Sequence, residues 1–289
     1  MKGSGNSSGG SRGLRLVALN VYPVKSAAGI SVDAWPVDEF GLAHDRRWAA
    51  VRADGRVCLT QRDLPRLALL RPVMGPGGLE ALEMPGHGTL AVPPADSLGR
   101  REGERTDAVV WGDRVPAHMA GAECHAWLSD ALGADCRLVH MPASARRPLR
   151  AGDLHPAPAG GRASFVDAFP ILLATESSLA DLNGRLAEPV PMARFRPNLV
   201  VAGAAAAFEE DRWRRVRVGA LEALVVKRCG RCIVTTTDQA TGRRNGPEPL
   251  RTLAGYRTID HGARFGVYLA HLGPGRLAVD DGIEIVERA

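Results

Sequence analysis

A pair of cysteines near residue 230 offers the clearest opportunity for chemistry in this sequence. Cys229 and Cys232 form a C-x-x-C motif, Arg228 and Arg231 stand beside them, and a β-branched run begins at Ile233. Thiolate sulfur binds soft metals and takes part in redox reactions, and neighbouring arginines favour the charged form of a thiol. The motif therefore fits several kinds of site, which differ in what else the chain must provide.

Four interpretations of the motif stay open on the residues alone. A thioredoxin-like dithiol needs a helix after its first cysteine, whereas Ile233–Thr237 favours a strand. A tetrahedral zinc site needs two more ligands, and Cys124 and Cys136 with their neighbouring histidines do not form a second close pair. Two ordinary buried cysteines are the third interpretation, because a free thiol packs like a small apolar group. The fourth is a single thiolate ligand to a metal whose remaining ligands come from an organic cofactor.

The fourth interpretation predicts an anion-binding group elsewhere, for the phosphate of such a cofactor. Lys25 and Ser26 lie in a turn directly after a predicted strand, and His44–Trp48 carries two arginines at the entry to another strand. Arg194–Asn198 carries two alternating arginines followed by an amide, and alternating side chains of an extended segment point to one side. Guanidinium groups bind phosphate through paired N–H donors, so the three segments together predict an anion pocket.

Composition indicates a globular protein and excludes several classes. The chain has 289 residues, of which 45% are apolar and 24% charged, with 37 basic and 32 acidic side chains and a net charge of +5. The basic residues form no block of the kind that binds nucleic acid, and no apolar run approaches the ~20 residues that span a bilayer. Five cysteines without a disulfide framework favour a reducing compartment. We therefore expect a cytoplasmic protein that binds neither nucleic acid nor membrane.

Short strands that are separated by glycine, proline and aspartate dominate the predicted secondary structure, which favours barrels or sandwiches over βαβ units. The predicted strands are Leu14–Tyr22, Arg47–Ala53, Val57–Thr60, Arg66–Met74, Thr106–Val110, Cys136–His140, Asn198–Ala202, Trp213–Val218, Glu222–Lys227, Ile233–Thr237, Arg264–Ala270 and Ile283–Glu287. Three helices are predicted, and they cover Glu123–Leu132, Ser177–Leu186 with Thr175 or Ser177 as its N-cap, and Pro249–Tyr256.

The segment 141–163 is rich in proline, alanine, arginine and glycine and is the best candidate for a domain boundary. We expect a disordered Gly/Ser-rich tail over residues 1–13. A first domain over 14–140 and a second domain over 164–289 would then flank the connecting loop.

Eight segments taken together resemble one known family, the MOSC proteins that carry an N-terminal MOSC β-barrel domain, and in particular its amidoxime-reducing members. The segments are VYPVKSAAGI, HDRRWAAV, LTQRDLPRL, FPILLATESSLADLN, RFRPNLVV, CGRCIVTTTDQATG, EPLRTL and RFGVYL. They stand in the order of the family, and the resemblance covers the chain from Leu14 to Glu287. It implies a mainly β (α+β) fold, with a MOSC N-terminal β-barrel-like domain followed by a MOSC β-barrel domain with a few short helices.

The resemblance also implies a molybdenum cofactor (Mo-molybdopterin), in which the pterin dithiolene and one protein cysteine bind the metal. The position that matches this metal ligand is Cys232, and Cys229 is then a nearby cysteine that binds no metal. The positions that match the cofactor-binding residues of the family are Lys25, Ser26, Arg46, Thr175, Ser177, Arg196, Asn198 and Tyr268. Asp238 is a candidate proton donor, and a turn-forming aspartate is the alternative interpretation of that residue.

The activity implied by the resemblance is molybdenum-dependent reduction of small N-hydroxylated compounds. No cysteine follows Cys232, so the cluster motif of a ferredoxin-like domain is absent from this sequence. We therefore expect electrons from a separate ferredoxin-, flavodoxin- or cytochrome b5-like protein. Two alternatives stay open, namely a sulfur carrier or sulfurtransferase with a persulfide cysteine, and a cofactor-binding protein without catalytic activity.

Overall fold

A computed structural model describes residues 13–100 and 104–289 of the protein, and strands form most of their regular structure. The predicted disordered tail over residues 1–13 lies, except for Gly13, outside the described residues. The mainly β fold class predicted from the sequence is confirmed. None of the described helices is long and apolar enough to cross a membrane.

The strands are short and follow one another through tight turns. They are β1 (Arg15–Val21), β2 (Ile30–Val32), β3 (Ala34–Asp38), β4 (Gly41–Leu42), β5 (Trp48–Arg52), β6 (Arg71–Gly75), β7 (Gly78–Met84), β8 (Gly88–Ala91), β9 (Arg105–Val110), β10 (Asp113–Met119), β11 (Cys136–His140), β12 (Ile171–Thr175), β13 (Leu199–Ala202), β14 (Trp213–Val218), β15 (Leu221–Gly230), β16 (Thr258–Ile259), β17 (Gly262–His271), β18 (Gly275–Ala278) and β19 (Ile283–Arg288). The described α-helices are α1 (Ala122–Leu132), α2 (Glu176–Asn183) and α3 (Leu250–Tyr256).

The three predicted helices are present, and local sequence signals set the ends of two of them. Helix α1 stops at Gly133, which adopts the left-handed conformation that glycine tolerates (φ 65°). Helix α2 begins after Thr175, whose side-chain oxygen accepts a hydrogen bond from the backbone N–H of Ser178. Of the two N-cap residues predicted for this helix, the structure therefore uses Thr175 and not Ser177.

Nine strands form the largest sheet, in the order β19-β14-β15-β17-β12-β13-β1-β2 with β16 paired to β17. Most neighbouring strands are antiparallel, but β12 and β13, which are connected through α2, pair in parallel. The segment from β12 to β13 is therefore a βαβ unit, whereas the spacing of turn residues had favoured barrels or sandwiches over such units. Buried apolar side chains such as Leu19, Leu173 and Trp213 form the core against one face of this sheet.

Strands from both sides of segment 141–163 share sheets. Strand β1 pairs with β13, with Leu19 opposite Leu199, and β3 pairs with β18, with Leu277 opposite Trp35. Backbone bonds from Leu16 to residues 280 and 281 also bring the far end of the large sheet back towards β1. The two-domain division stays a prediction, and the described sheets connect the two parts extensively.

A second core lies in the part of the chain before residue 141. It is formed between a four-stranded sheet in the order β5-β11-β10-β9, a three-stranded sheet of β6, β7 and β8, and helix α1. Trp48, Leu67, Leu128 and Leu138 are among its buried side chains. Arg46 lies in the turn directly before β5, which is a strand of this core. The core therefore fixes the position of one wall of the site described below.

Three predicted strands are wrong in whole or in part. Ile233–Thr237 was predicted as a strand, but Ile233–Thr236 forms a 3-10 helix after an extended Cys232. Val57–Thr60 makes only isolated β-bridges, and the first half of Arg66–Met74 belongs to the 3-10 helix Pro65–Leu69. In each case β-branched or apolar composition favoured a strand locally, whereas tertiary contacts required a turn.

Candidate functional site

A cleft at the carboxyl end of β15 brings most of the predicted site residues together. The cleft is partly open to solvent. The predicted site residues that line the cleft are Cys232, Lys25, Ser26, Arg46, Arg196, Asn198 and Tyr268.

The lining of this cleft is strongly basic. Its cationic side chains are Lys25, Arg46, Arg62, Arg194, Arg196 and Arg231. Among the described residues that line it, Asp167 is the acidic one. Low-dielectric walls of one charge sign concentrate the electrostatic potential, so the cleft favours an anionic ligand.

The two cysteines of the C-x-x-C motif have different environments. Cys229 is buried at the end of β15, and this burial raises the pKa of its thiol despite the nearby Arg231 and a hydrogen bond with Tyr268. Cys232 is partly exposed, and its Sγ accepts a hydrogen bond from Nη2 of Arg62 at 3.1 Å. Of the two sulfurs, that of Cys232 is therefore the one placed to bind a ligand in the cleft.

The arginine that contacts Cys232 is not one of those predicted. Arg228 turns towards Asp211, with 3.7 Å between Nε and Oδ2, and Arg231 donates to the carbonyl oxygens of Phe195 and Phe265. The expected role of the two motif arginines beside the thiolate is corrected accordingly, and Arg62 takes their place. Sequence reasoning missed Arg62, since its only signal was its position within the matching segment LTQRDLPRL.

A chain of polar contacts links Arg62 to Lys25. The guanidinium group of Arg62 lies 4.7 Å from the ring centroid of Trp111, whose Nε1 donates to Asp167 at 3.1 Å. Lys25 donates to the same carboxylate at 2.5 Å and to the carbonyl oxygen of Phe165 at 2.7 Å. Burial alone raises the pKa of Asp167, but the charge and hydrogen bond of Lys25 outweigh this effect and hold the pKa well below its usual range.

Arg46 is held by the residues around it. Its Nη1 donates to the Asp45 carboxylate and to Oδ1 of Asn198 at 3.0 Å, and its Nη2 lies 3.5 Å from the carbonyl oxygen of Arg196. Burial lowers the pKa of Arg46, but the negative charge of Asp45 outweighs this effect and raises it. Arg46 therefore remains cationic inside the cleft.

The two arginines of Arg194–Asn198 reach the cleft by a different route from the predicted one. Met192–Phe195 is a 3-10 helix, and Arg196 has the left-handed conformation (φ 53°), so the segment is not extended. A left-handed backbone is uncommon for arginine and indicates that the surroundings impose it. Both side chains nevertheless line the cleft, so the predicted outcome holds although the predicted geometry is wrong.

Arg196 retains unused donor capacity. Its Nη1 donates to Oε1 of Gln239 at 3.3 Å, whereas its buried Nη2 has no hydrogen-bond partner within the described part of the chain. Burial, with added repulsion from Arg46, lowers the pKa of Arg196 to about 10, so the group is still charged at neutral pH. A buried guanidinium N–H without a partner is costly, and an anion in the cleft would satisfy it. The residues present therefore fit a ligand with a phosphate group.

Thr175 and Ser177 lie outside the lining of the cleft. The Thr175 hydroxyl caps α2 and donates to the buried Glu210 carboxylate at 3.1 Å, and the Ser177 hydroxyl donates to the Ala206 carbonyl oxygen at 3.2 Å. Because these contacts engage both hydroxyls in local structure, the geometry gives no support to their predicted role in cofactor binding.

Asp238 is also placed beside the cleft and not in its lining. Its carboxylate accepts from the backbone N–H groups of Ala240 and Thr241, both at 2.9 Å, and from Nη2 of Arg194 at 3.0 Å. Burial opposes ionisation, but these donors lower the pKa of the carboxyl group. These are the contacts of a turn-forming aspartate, and the role as proton donor stays a prediction.

Metal binding at Cys232 would depend on a bound molecule. Within residues 13–100 and 104–289, no group of three or more His, Cys, Asp or Glu side chains could hold a metal ion. The thiol of Cys232 is thus a single protein ligand, and further donors for a metal at this sulfur would come from a ligand in the cleft.

Comparison with known proteins gives two domain matches and several relatives. Residues 13–135 match the MOSC N-terminal beta barrel domain, and residues 160–284 match the MOSC domain. Mitochondrial amidoxime reducing component 2 of Bos taurus is 32% identical over 277 residues, which cover 91% of this chain and 80% of the relative. Mitochondrial amidoxime-reducing component 1 of Danio rerio is 35% identical over 249 residues, which cover 84% and 74%.

A third relative is much longer than this chain. Molybdenum cofactor sulfurase of Danio rerio is 35% identical over 272 residues, which cover 89% of this chain and 32% of the sulfurase. The chain thus spans about a third of that relative, in contrast to its extensive coverage of the amidoxime reducing components.

Proposed function

The chain belongs to the MOSC family, and we propose that it is a molybdenum-cofactor-binding oxidoreductase that reduces small N-hydroxylated substrates. The observation that carries this proposal is the placement of one partly exposed thiol, Cys232, at a cleft with six cationic side chains. A lone thiolate needs a ligand-rich partner to hold a metal, and the basic lining suits a partner that carries phosphate. Relatives named for amidoxime reduction and for the molybdenum cofactor support the same conclusion.

The residues that would hold the cofactor divide into two groups. Cys232 would bind the metal, with Tyr268 in the adjoining wall, while Lys25, Ser26, Arg46, Arg196 and Asn198 would hold the pterin and its phosphate. When bound, the cofactor would supply a two-electron redox centre for reduction of the substrate N–O bond. The protein supplies charge, orientation and a defined cleft.

Arg62 and Asp238 have supporting roles in this proposal. The N–H of Arg62 that points at Cys232 Sγ would fix the side-chain orientation of the metal ligand and stabilise its negative charge. The ion pair between Asp238 and Arg194 would hold one wall of the cleft in place. Protons that the reduction consumes can enter with water, because the cleft is partly open to solvent.

Electrons would come from a separate protein of the ferredoxin, flavodoxin or cytochrome b5 type. This part of the proposal rests on the relatives named amidoxime reducing component. A chemical reductant such as dithionite-reduced benzyl viologen would replace that carrier in an assay.

The proposal is tested by metal analysis and turnover of matched cysteine variants. The wild type should contain molybdenum, measured by mass spectrometry of the metal, and reduce benzamidoxime with reduced benzyl viologen. Cys232→Ser should abolish turnover and lower molybdenum content, because it removes the thiolate in the cleft. Cys229→Ser, which changes the buried thiol three residues away, should retain most of both. A requirement for Cys229 with a dispensable Cys232 would contradict the assignment.

Similarity to molybdenum cofactor sulfurase favours a second candidate function, a sulfur carrier that uses a persulfide on Cys232. If this alternative is correct, treatment with cyanide should release thiocyanate from the wild type but not from the Cys232→Ser variant. A chain with molybdenum and without substrate turnover would instead be a cofactor-binding protein that lacks catalytic activity. Molybdenum content, substrate turnover and thiocyanate release therefore separate the three functions.

A further inference from the structure

The ring of Tyr22 contacts two of the cations that line the cleft. The guanidinium carbon of Arg46 is 4.2 Å from the centroid of its ring, and that of Arg196 is 4.3 Å away. The two arginines come from segments 150 residues apart in the sequence, and the tyrosine ring is their shared contact. Tyr22 itself is buried and does not belong to the lining of the cleft.

Three separate contacts fix the position of this ring. The backbone N–H of Tyr22 donates to Oδ1 of Asp45 at 2.8 Å, and its hydroxyl donates to the carbonyl oxygen of Pro197 at 3.2 Å. Gly29 packs directly against the ring, because a Cβ at this position would lie 2.5 Å from Cε1 of Tyr22. The ring is thus attached to both arginine segments and closely packed beneath the turn after β1.

Two partly buried guanidinium groups near one another repel, so other contacts must stabilise their arrangement. Asp45 neutralises Arg46, whereas the neutral amide oxygen of Gln239 is the polar contact described for the Arg196 side chain. The negative face of an aromatic ring attracts cations, most strongly where water is excluded. Without the ring, Arg196 would gain from turning towards solvent and away from Arg46, which Asp45 and Asn198 hold in place. Both arginines also have left-handed backbones, which requires surroundings that hold them (φ 49° and 53°).

We propose that Tyr22 is a positioning residue that holds Arg46 and Arg196 together as a clamp for a phosphate monoester. Phosphate fits because the guanidinium fork presents paired N–H donors, and Nη2 of Arg196 is buried without a partner in the described chain. The inference rests on the proposed function only in assigning that phosphate to the cofactor. The clamp itself depends on the ring and the two arginines.

The test compares Tyr22→Phe, which keeps the ring, with Tyr22→Leu, which replaces it by an aliphatic group. Full-length protein from a host unable to make the cofactor is titrated with inorganic phosphate by calorimetry, and protein from an ordinary host is analysed for molybdenum. We expect Tyr22→Phe to bind phosphate within about twofold of the wild type, and Tyr22→Leu to bind roughly tenfold more weakly. Molybdenum content should fall in the same order. Rescue by phenylalanine distinguishes positioning by the ring from the hydroxyl contact to Pro197.

Gly29→Ala provides a second route to the same answer if Tyr22→Leu does not fold. The new methyl group would displace the ring, whereas Gly77→Ala, at an exposed glycine with open space around its Cβ position, is the matched control. We expect Gly29→Ala to weaken phosphate binding and Gly77→Ala to leave it unchanged.

The outcomes separate this inference from the proposed function. A folded Tyr22→Leu or Gly29→Ala variant with wild-type phosphate affinity overturns the clamp, as does a wild type that binds no phosphate. A wild type without molybdenum whose phosphate affinity still depends on the ring would contradict the proposed function and leave the clamp in place.

Discussion

The contact between Arg62 and Cys232 joins residues that are 170 positions apart, and it places a permanent positive charge beside the candidate metal ligand. Hydrogen bonds to a ligand sulfur orient it and tune the centre it binds. Trp111 supports Arg62 from the other side through its ring. A loop from the first part of the chain thereby helps to determine the chemistry of a thiol in the last part.

We predict that Arg62→Ala lowers turnover about tenfold or more, because a hydrogen bond to a charged group contributes ~1.5–3 kcal/mol. Molybdenum content should fall less than turnover, since the clamp arginines remain. Turnover with reduced benzyl viologen and metal analysis check this. Arg66→Ala is the control, because Arg66 is exposed in the neighbouring 3-10 helix, where its Nη2 lies 3.4 Å from Nε2 of His87. Equal activity of the two variants would contradict the role of Arg62.

Five of the six cations that line the cleft stand in segments that the sequence analysis singled out for anion or metal binding, and Arg62 is the exception. Lys25, Arg46, Arg196 and Cys232 stand in segments whose residue types already indicated anion or metal binding. Arg62 lies beside Cys232 only because the fold brings distant segments together, so no local sequence pattern predicted its role. Thr175 illustrates the opposite error, since a hydroxyl before a helix has a local structural use that the sequence cannot separate from ligand binding.

Strand β11 carries a histidine whose environment makes the second core sensitive to acid. His140 is buried against Trp48, with 4.7 Å between the ring centroids, and burial together with repulsion from Arg47 lowers its pKa to about 3. Below pH 6.5 the unfolded chain therefore binds a proton that the folded chain does not bind. The free energy of unfolding should fall as the pH drops from about 6.5 towards 3.

We predict that this effect reaches about 2 kcal/mol at pH 5 and that His140→Phe removes it while keeping an aromatic ring against Trp48. Urea denaturation at pH 7 and pH 5 measures the difference. His155→Phe, in the connecting segment, serves as the control variant. An equal acid-induced loss in His140→Phe and the wild type would contradict the assignment.

Helix α2 depends on the residue that precedes it. Thr175→Ala removes the N-cap and the bond to Glu210, so the free energy of unfolding should fall by about 1–2 kcal/mol. Molybdenum content per folded chain should stay near the wild-type value, because Thr175 does not line the cleft. Urea denaturation and metal analysis test the two statements. Loss of molybdenum without loss of stability would instead support the cofactor role implied by the family resemblance.

The positions of secondary-structure elements were easier to predict from the sequence than whether each segment forms a strand or a helix. All three helices could be located, and two of them have a cap residue, Gly133 after α1 and Thr175 before α2. The Thr-rich run after Cys232 has strong strand propensity, yet it closes a turn beside the cleft as a 3-10 helix. β propensity reflects the usual packing of a residue type, and here the site required a different backbone.

Across the whole molecule, the connecting segment is less important to the architecture than the sheets that bridge it. We predict that cleavage at a protease site engineered into residues 155–160 leaves both fragments associated, since β1 pairs with β13 and β3 pairs with β18. Size-exclusion chromatography under native conditions should show one peak that contains both fragments. The fragments should separate in denaturant, and separation in native buffer would contradict the prediction.

The pairing of β1 with β13 also sets an order of events during translation. One edge of β1 pairs with β2, which follows it closely in the sequence, but the other edge has no partner until β13 has been made, because Arg15 faces Ala202 almost two hundred residues later. At ~5–20 residues per second this interval lasts roughly ten seconds or more. Leu16, Leu19 and Val21, which are buried in the folded protein, lack during that time the part of their core that β13 supplies. Cys232 and Tyr268 are made later still, so the lining of the cleft is completed only by the last part of the chain.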